Sequence, residues 1–152
     1  MMQSIQLKIG GEAGFGIMAS GSMLARAFAR HGYFVFTLNE YPSLIRGGHN
    51  IVSVRISPNY FESMNRDLHI LIALNSQSVE LHKAELSDKA MVVYDPKDKE
   101  WASSEFPKSV LLIPVPLSEL VSAQNGTPVM RNTVALGVTM ALLGADFEML
   151  AT

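Results

Sequence analysis

The chain has no cysteine among its 152 residues. Disulfides, thiolate metal sites and cysteine-ligated iron–sulfur clusters within it are thereby excluded. Charge is scarce as well: Asp, Glu, Lys and Arg make up 17% of the residues, and 14 acids against 12 bases give a net charge of −2 with no basic run. Nothing here supports a broad electrostatic face for nucleic acid, and no such partner is expected. The four histidines (31, 49, 69 and 82) are scattered without metal-ligand spacing, so no metal site is expected. No apolar run reaches the roughly 20 residues of a membrane span; the longest candidate, 133–145, contains Gly137 and Gly144. The N-terminus lacks the basic stretch and apolar core of a signal peptide, which makes a cytoplasmic location the expectation, with no membrane partner. Catalytic sets are missing too. Serines 20, 22, 43 and 53 have no histidine and carboxylate in a recognised relation, no paired carboxylates share a likely cleft, and no catalytic residue is expected.

What is abundant is apolar surface. Hydrophobic residues make up 48% of the chain and the mean hydropathy is +0.19. A chain of this length encloses a core as one domain, read here as residues 1–152. The excess of apolar residues then implies outer faces that are also buried, against other domains or subunits. Nine methionines suit core filling or an interface.

Residues 4–9 alternate and enter a glycine-rich turn, as a first strand does. Residues 17–31 place Ile17, Leu24, Ala27, Phe28 and His31 on one helical face, with small residues for close packing on a sheet. Residues 33–38 are aromatic and β-branched, a second strand, so the order is a βαβ unit with an expected right-handed crossover. A loop follows over 39–49. Residues 50–56 alternate, with Ile51, Ser53 and Arg55 on one side and Val52, Val54 and Ile56 on the other. Residues 68–74 are nearly all apolar, the pattern of a strand buried on both faces. A helix over 77–86, strands over 90–94 and 110–115, and a helix capped by Asn132 or Thr133 complete the pattern. Residues 146–151 begin what reads as another helix, which leads to the expectation that the chain is a piece of a longer subunit. These elements predict an α/β fold: a three-layer, Rossmann-like open sheet, mostly parallel, with helices on both faces.

Three motifs carry the functional reading. Gly11, Gly14 and Gly16 lie between a strand and a helix, where backbone amides and the helix dipole favour an anion, a phosphate above all. Their order, G-x-x-G-x-G, differs from the dinucleotide fingerprint, and a tight connection without a ligand remains the competing reading. Glu40 at the end of the second strand stands where a dinucleotide fold places its ribose-binding acid. Next comes Tyr41-Pro42-Ser43-Leu44-Ile45-Arg46-Gly47-Gly48-His49, an arginine on a backbone that lets a partner approach closely. Its alternative is a surface loop with a solvated arginine and a Tyr41 that packs on the sheet edge. His49 belongs to this loop, whereas His31 and His69 read as structural. Arg131 and Asn132, at a helix start, either grip an anion or cap the helix.

Together these segments resemble the gamma domain of the 2-oxoacid:ferredoxin oxidoreductases, in the version fused ahead of the alpha, pyrimidine-binding part of 2-oxoglutarate-type enzymes. The resemblance rests on Gly-Glu-Ala-Gly-Phe-Gly at 11–16, Glu-Tyr-Pro-Ser-Leu-Ile-Arg-Gly-Gly-His at 40–49 and Met-Arg-Asn-Thr-Val-Ala-Leu-Gly at 130–137. Ala13 and Phe15 depart from the frequent glycine and glutamine of the family, and Phe15 changes what the loop tip presents. The resemblance implies a domain that helps to bind coenzyme A and packs against alpha and beta, thiamine-diphosphate domains. It is catalytically incomplete alone, in an enzyme that converts a 2-oxoacid to an acyl-CoA and passes electrons to ferredoxin. Thiamine diphosphate, magnesium and iron–sulfur clusters would belong to the partner domains. The residues it implies at the coenzyme are Gly11, Gly14, Phe15, Gly16, Tyr41, Arg46, Gly47 and Gly48, with Arg131 and Asn132 as further candidates. Two rivals stay open: a free-standing NAD- or FAD-binding domain, and a purely structural partner subunit.

Overall fold

The computed structural model describes residues 3–41 and 48–151; Arg46 and Gly47, like residues 42–45, lie outside the described residues. Chain order is strand β1 (Ile5–Glu12), helix α1 (Ile17–Arg30), strands β2 (Phe34–Glu40), β3 (His49–Ser57) and β4 (Leu68–Ala73), helix α2 (Ser76–His82), strands β5 (Leu86–Tyr94) and β6 (Leu111–Pro114), helix α3 (Leu117–Ala123) and helix α4 (Arg131–Leu142). The strands form one six-stranded sheet in the order β2-β3-β1-β4-β5-β6. β1, β4, β5 and β6 are mutually parallel, while β3 runs antiparallel to both of its neighbours. This is the mostly parallel, open α/β sheet that the sequence pattern predicts.

The alternation in each strand decides which side it buries. On β1, Leu7 and Ile9 face the same side as Val52, Val54 and Ile56 of β3, and α1 and α4 cover them with Leu24, Phe28, Leu136 and Met140. On the opposite face, Leu71 and Ala73 of β4 pack with Val92, Val79 of α2, Trp101 and Phe106. β4 therefore loses both of its faces to the core, which is why LHILIA carries almost no polar residue. Over β1 and β3 that second face is polar instead, with Gln6, Lys8 and Ser53 buried there.

Several boundaries move for identifiable reasons. β1 and β2 do not pair, because β3 enters between them; the strand–helix–strand crossover skips one strand. α2 begins at Ser76, where the Asn75 side chain accepts from the Ser78 N–H, and it ends at His82 in a 3-10 turn over Lys83–Glu85. β5 starts at Leu86 rather than at residue 90, since Leu86 pairs with Leu68 ahead of a bulge. Neither Asn132 nor Thr133 caps α4. A 3-10 turn over Pro128–Met130 leads straight into Arg131, and no side chain caps the helix. Residues Phe147–Leu150 form a 3-10 turn, with the Asp146 carboxylate accepting from the Glu148 N–H. No helix among the described residues is long and apolar enough to cross a membrane.

Candidate functional site

The sheet topology creates one privileged crevice. From β1 the chain leaves through α1 on one face, and from the adjacent parallel β4 it leaves through α2 on the other. Between two such strands the loops diverge, and ligands of open α/β sheets bind beyond the carboxyl ends at that point. A cleft of about 370 Å³ lies there, lined by Glu12, Phe15, Leu74, Asn75, Gln77, Lys97, Asp98 and Arg131, among others.

The glycine turn forms one rim of this cleft. Gly14 and Gly16 have φ of 97° and 70°, the left-handed region in which a Cβ is costly. Gly16 is also the N-cap residue of α1 and no side chain caps that helix, so the first-turn amides have no side-chain acceptor from the cap. A Cβ at Gly16 would collide with the Asn132 amide. Phe15 sits 5.9 Å from the Arg131 guanidinium. The Ala13 N–H donates to the Gly48 carbonyl at 3.0 Å, which ties the turn to the end of the Arg-Gly-Gly segment. The structure thus brings together parts of all three sequence motifs: Gly14, Phe15 and Gly16, then Gly48, then Arg131 and Asn132. Gly11 is different. It lies inside β1, and its missing Cβ makes room for Leu74 and Ile17. Tyr41 is 64% exposed rather than packed on the sheet edge.

Arg131 is held from several sides. It donates to the Leu74 carbonyl at 3.0 Å and to the Asp98 carboxylate, and Asp95 lies 3.6 Å away. Its Nε is buried without a partner among the described residues. Asp95 is itself buried. Burial works against its charge, yet the Ser118 hydroxyl and N–H, the Lys97 N–H and Arg131 outweigh that and hold its pKa below the ordinary carboxylate value. Two aspartates thus offset Arg131, Lys97 lies 3.5 Å from Glu119, and Glu12 and Glu100 add carboxylates to the lining; left for an anion are the further protons of the exposed Lys97 ammonium and the α1 amides. Asn75, Gln77, Lys97 and Asp98 were not foreseen from the sequence. The one signal that could have found them is their place just after the parallel strands β4 and β5.

A second polar group lies between α2 and the sheet. Lys8 Nζ donates to Glu85 Oε2 at 2.6 Å, and His82 Nδ1 lies 2.6 Å from Glu85 Oε1. Burial opposes the Glu85 charge, but the hydrogen bonds from Lys8 and His82 hold its pKa below the usual value. The His49 ring stacks at a tilt 5.5 Å from His82, and neither of its ring nitrogens has a partner among the described residues. Burial first, then the positive charge of His82 and Lys8, pushes the His49 pKa down to about 4. His49 is therefore a neutral ring near pH 7. His31 and His69 are satisfied structurally: the first bonds the Ala27 carbonyl through Nδ1, the second accepts from the Gln6 N–H. Among the described residues no group of three or more His, Asp or Glu is placed to hold a metal ion.

Glu40 does not meet the glycine turn. With β3 inserted, it stands two strand spacings from β1, roughly 10 Å. It lines a different hollow, together with Lys8, Leu38, Ser53, Arg66 and Glu85. A dinucleotide held on the turn would therefore lack its ribose acid.

Comparison with known proteins agrees with this geometry. The family model "Pyruvate ferredoxin/flavodoxin oxidoreductase" matches residues 6–152. The chain is 25% identical to the 2-oxoglutarate synthase subunit KorC of Archaeoglobus fulgidus, over 97% of this chain and 75% of that one. It is 31% identical to the ketoisovalerate oxidoreductase subunit VorA of Methanothermobacter thermautotrophicus, over 95% of this chain and 30% of the relative. Among solved structures, the 2-oxoglutarate:ferredoxin oxidoreductase from Magnetococcus marinus, described with 2-oxoglutarate, coenzyme A and succinyl-CoA bound, superposes with a TM-score of 0.89 at 27% identity. That match covers 99% of this chain and 26% of the relative. The chain spans only 21% of the length of one curated alpha subunit.

Proposed function

The chain belongs to the pyruvate ferredoxin/flavodoxin oxidoreductase family, homologous to its gamma-type members, and from that premise we propose that residues 1–152 act as a coenzyme-A-binding, assembly-forming domain. The enzyme it serves would oxidatively decarboxylate a 2-oxoacid, of the 2-oxoglutarate kind, to an acyl-CoA and pass the electrons to ferredoxin. Its alpha and beta partner domains would carry thiamine diphosphate, magnesium and the iron–sulfur clusters. The chain's own inventory suits that division, since it contributes no thiolate. A cytoplasmic setting accompanies the reading.

The observation that carries it is the cleft at the carboxyl ends of β1 and β4. There the uncapped start of α1, Arg131 and Lys97 flank one hollow beside the glycine turn. A coenzyme supplies a diphosphate for such donors, and phosphate at a helix N-terminus needs only backbone amides and the helix dipole. When bound, coenzyme A supplies the thiol that accepts the acyl group. This chain's residues bind and orient it: the turn by close backbone approach, Lys97 through its ammonium, Arg131 as a wall of the cleft braced by Asp95 and Asp98, and Arg46 with Gly47 and Gly48 as a second arm. The solved relative that holds coenzyme A supports the choice of ligand. The dinucleotide rival is not favoured, because Glu40 is a strand too far from the turn.

Titrating the assembled enzyme with coenzyme A and with NADH tests the reading. Coenzyme A should bind and NADH should not. Arg46→Ala should weaken coenzyme A binding at least about tenfold, as loss of one charge-assisted hydrogen bond does, and slow acyl-CoA formation. Unchanged affinity and rate would remove the Arg-Gly-Gly segment from the site and favour a purely structural subunit.

A further inference from the structure

The glycine turn is anchored at its two ends and stands clear in between. A Cβ at Gly14 would meet nothing within 4 Å among the described residues. At the far end Gly16 lies against the Asn132 side chain. At the near end the Ala13 N–H donates to the Gly48 carbonyl at 3.0 Å, and Phe15 N–H closes the turn on the Glu12 carbonyl at 3.3 Å. Gly48 takes a φ of 101°, a conformation that suits glycine. Its carbonyl is aimed correctly only while the next residue, His49, stays the first of β3, paired with Glu12 at the end of the β1–β3 ladder.

His49 is fastened from the side of α2. Its ring lies 5.5 Å from that of His82, the last residue of the helix. His82 is itself fixed, since its Nδ1 lies 2.6 Å from Glu85 Oε1 while Lys8 of β1 donates to the other oxygen. Both ring nitrogens of His49 are buried without a partner among the described residues. The ring therefore contributes by shape, and an unmade hydrogen bond at a buried nitrogen is a cost that a phenyl ring would not carry. Charge at this position is opposed. Lys8 from β1 and His82 from α2 face it with positive charge, Glu85 has both oxygens engaged by those two, and Glu12 is the one acid opposite it in the ladder.

We propose that His49 is a positioning residue for the glycine turn: its ring, packed on His82, fixes the start of β3 and so holds the Gly48 carbonyl on the Ala13 N–H and the turn beside the cleft. The line of contacts runs from α2 through His49 and Gly48 to Ala13 and the start of α1. No side chain along it needs to touch the ligand; what reaches the cleft is backbone whose shape has been set in advance. Preorganisation of this kind spares a ligand the entropy of ordering the turn. The consequence for coenzyme A rests on the reading of the cleft given above, whereas the positioning itself is a property of the chain.

The test reads coenzyme A affinity and amide hydrogen exchange in the assembled enzyme. His49→Ala removes the ring. It should speed exchange of the Ala13 amide and weaken coenzyme A about tenfold, the scale of ordering one backbone residue. KM for coenzyme A should rise more than kcat falls. Amides of Ile70 and Ile72 in β4 should exchange as before, which separates a displaced turn from a weakened fold. His49→Phe restores a ring of similar shape without nitrogens and should recover both the affinity and the Ala13 protection. His49→Lys, which sets a charge beside Lys8 and His82, should behave as the Ala variant does. Unchanged Ala13 exchange in His49→Ala, or recovery by His49→Gln but not by His49→Phe, would overturn the proposal. Failure of the unaltered enzyme to bind coenzyme A would instead overturn the reading of the cleft, and Ala13 exchange would still decide the role of His49.

Discussion

At the scale of single residues, burial and near neighbours set the chemistry more than residue type does. His49 illustrates this. In an unfolded chain it titrates near 6.5, and in the fold near 4. Between those values the unfolded chain holds the extra proton, so stability is full above pH 6.5 and falls as pH drops towards 4. His49 is only partly buried, so solvent screening trims this contribution to something on the order of 1 kcal/mol. Glu85 and Asp95, held low by their donors, lose their contributions only as pH falls through the lower carboxylate range. Urea midpoints measured from pH 7 to pH 4 should therefore show a slope that His49→Gln removes; equal slopes in both proteins would contradict the account. From the sequence His49 could be singled out only as a member of the Arg-Gly-Gly segment. Its place beside His82 and Lys8 depends on α2 crossing the sheet, which no local pattern encodes.

Among the elements, β4 was the most legible. A run of Leu68, Ile70, Leu71, Ile72 and Ala73 leaves no polar face to expose, and both faces are buried. Leu71→Ala and Ile72→Ala point to opposite sides of the sheet, and each should cost about 2–5 kcal/mol in chemical denaturation. A strand with one solvated face would instead show a loss at one of the two only. α4 was read less well. Asn132 and Thr133 look like caps, but the 3-10 turn at Pro128–Met130 supplies the entry to the helix. Asn132 then serves to pack against Gly16. The glycine turn was legible as a turn because left-handed backbone at Gly14 and Gly16 demands glycine. Gly11 shares their composition but not their role, since it gives up its side chain to Leu74 and Ile17.

At the scale of the whole molecule, the cleft and the β2 edge are separate consequences of one sheet order. Coenzyme A bound at the cleft should slow amide hydrogen exchange at 12–17 and 74–77 and leave 34–40 unaffected. Protection at 34–40 instead would move the ligand to the β2 edge of the sheet. The sequence by itself determined the α/β class, the strand buried on both faces and the turn that only glycine can make. Those follow from periodicity and backbone sterics, which act over a few residues. It also carried the family, through three motifs spread along the chain. Only the tertiary structure decided that β3 separates β1 from β2, which moves Glu40 away from the turn and leaves β2 at the edge. Strand order rests on contacts between residues far apart in the chain, and a strand's own alternation is the same whichever neighbour it takes.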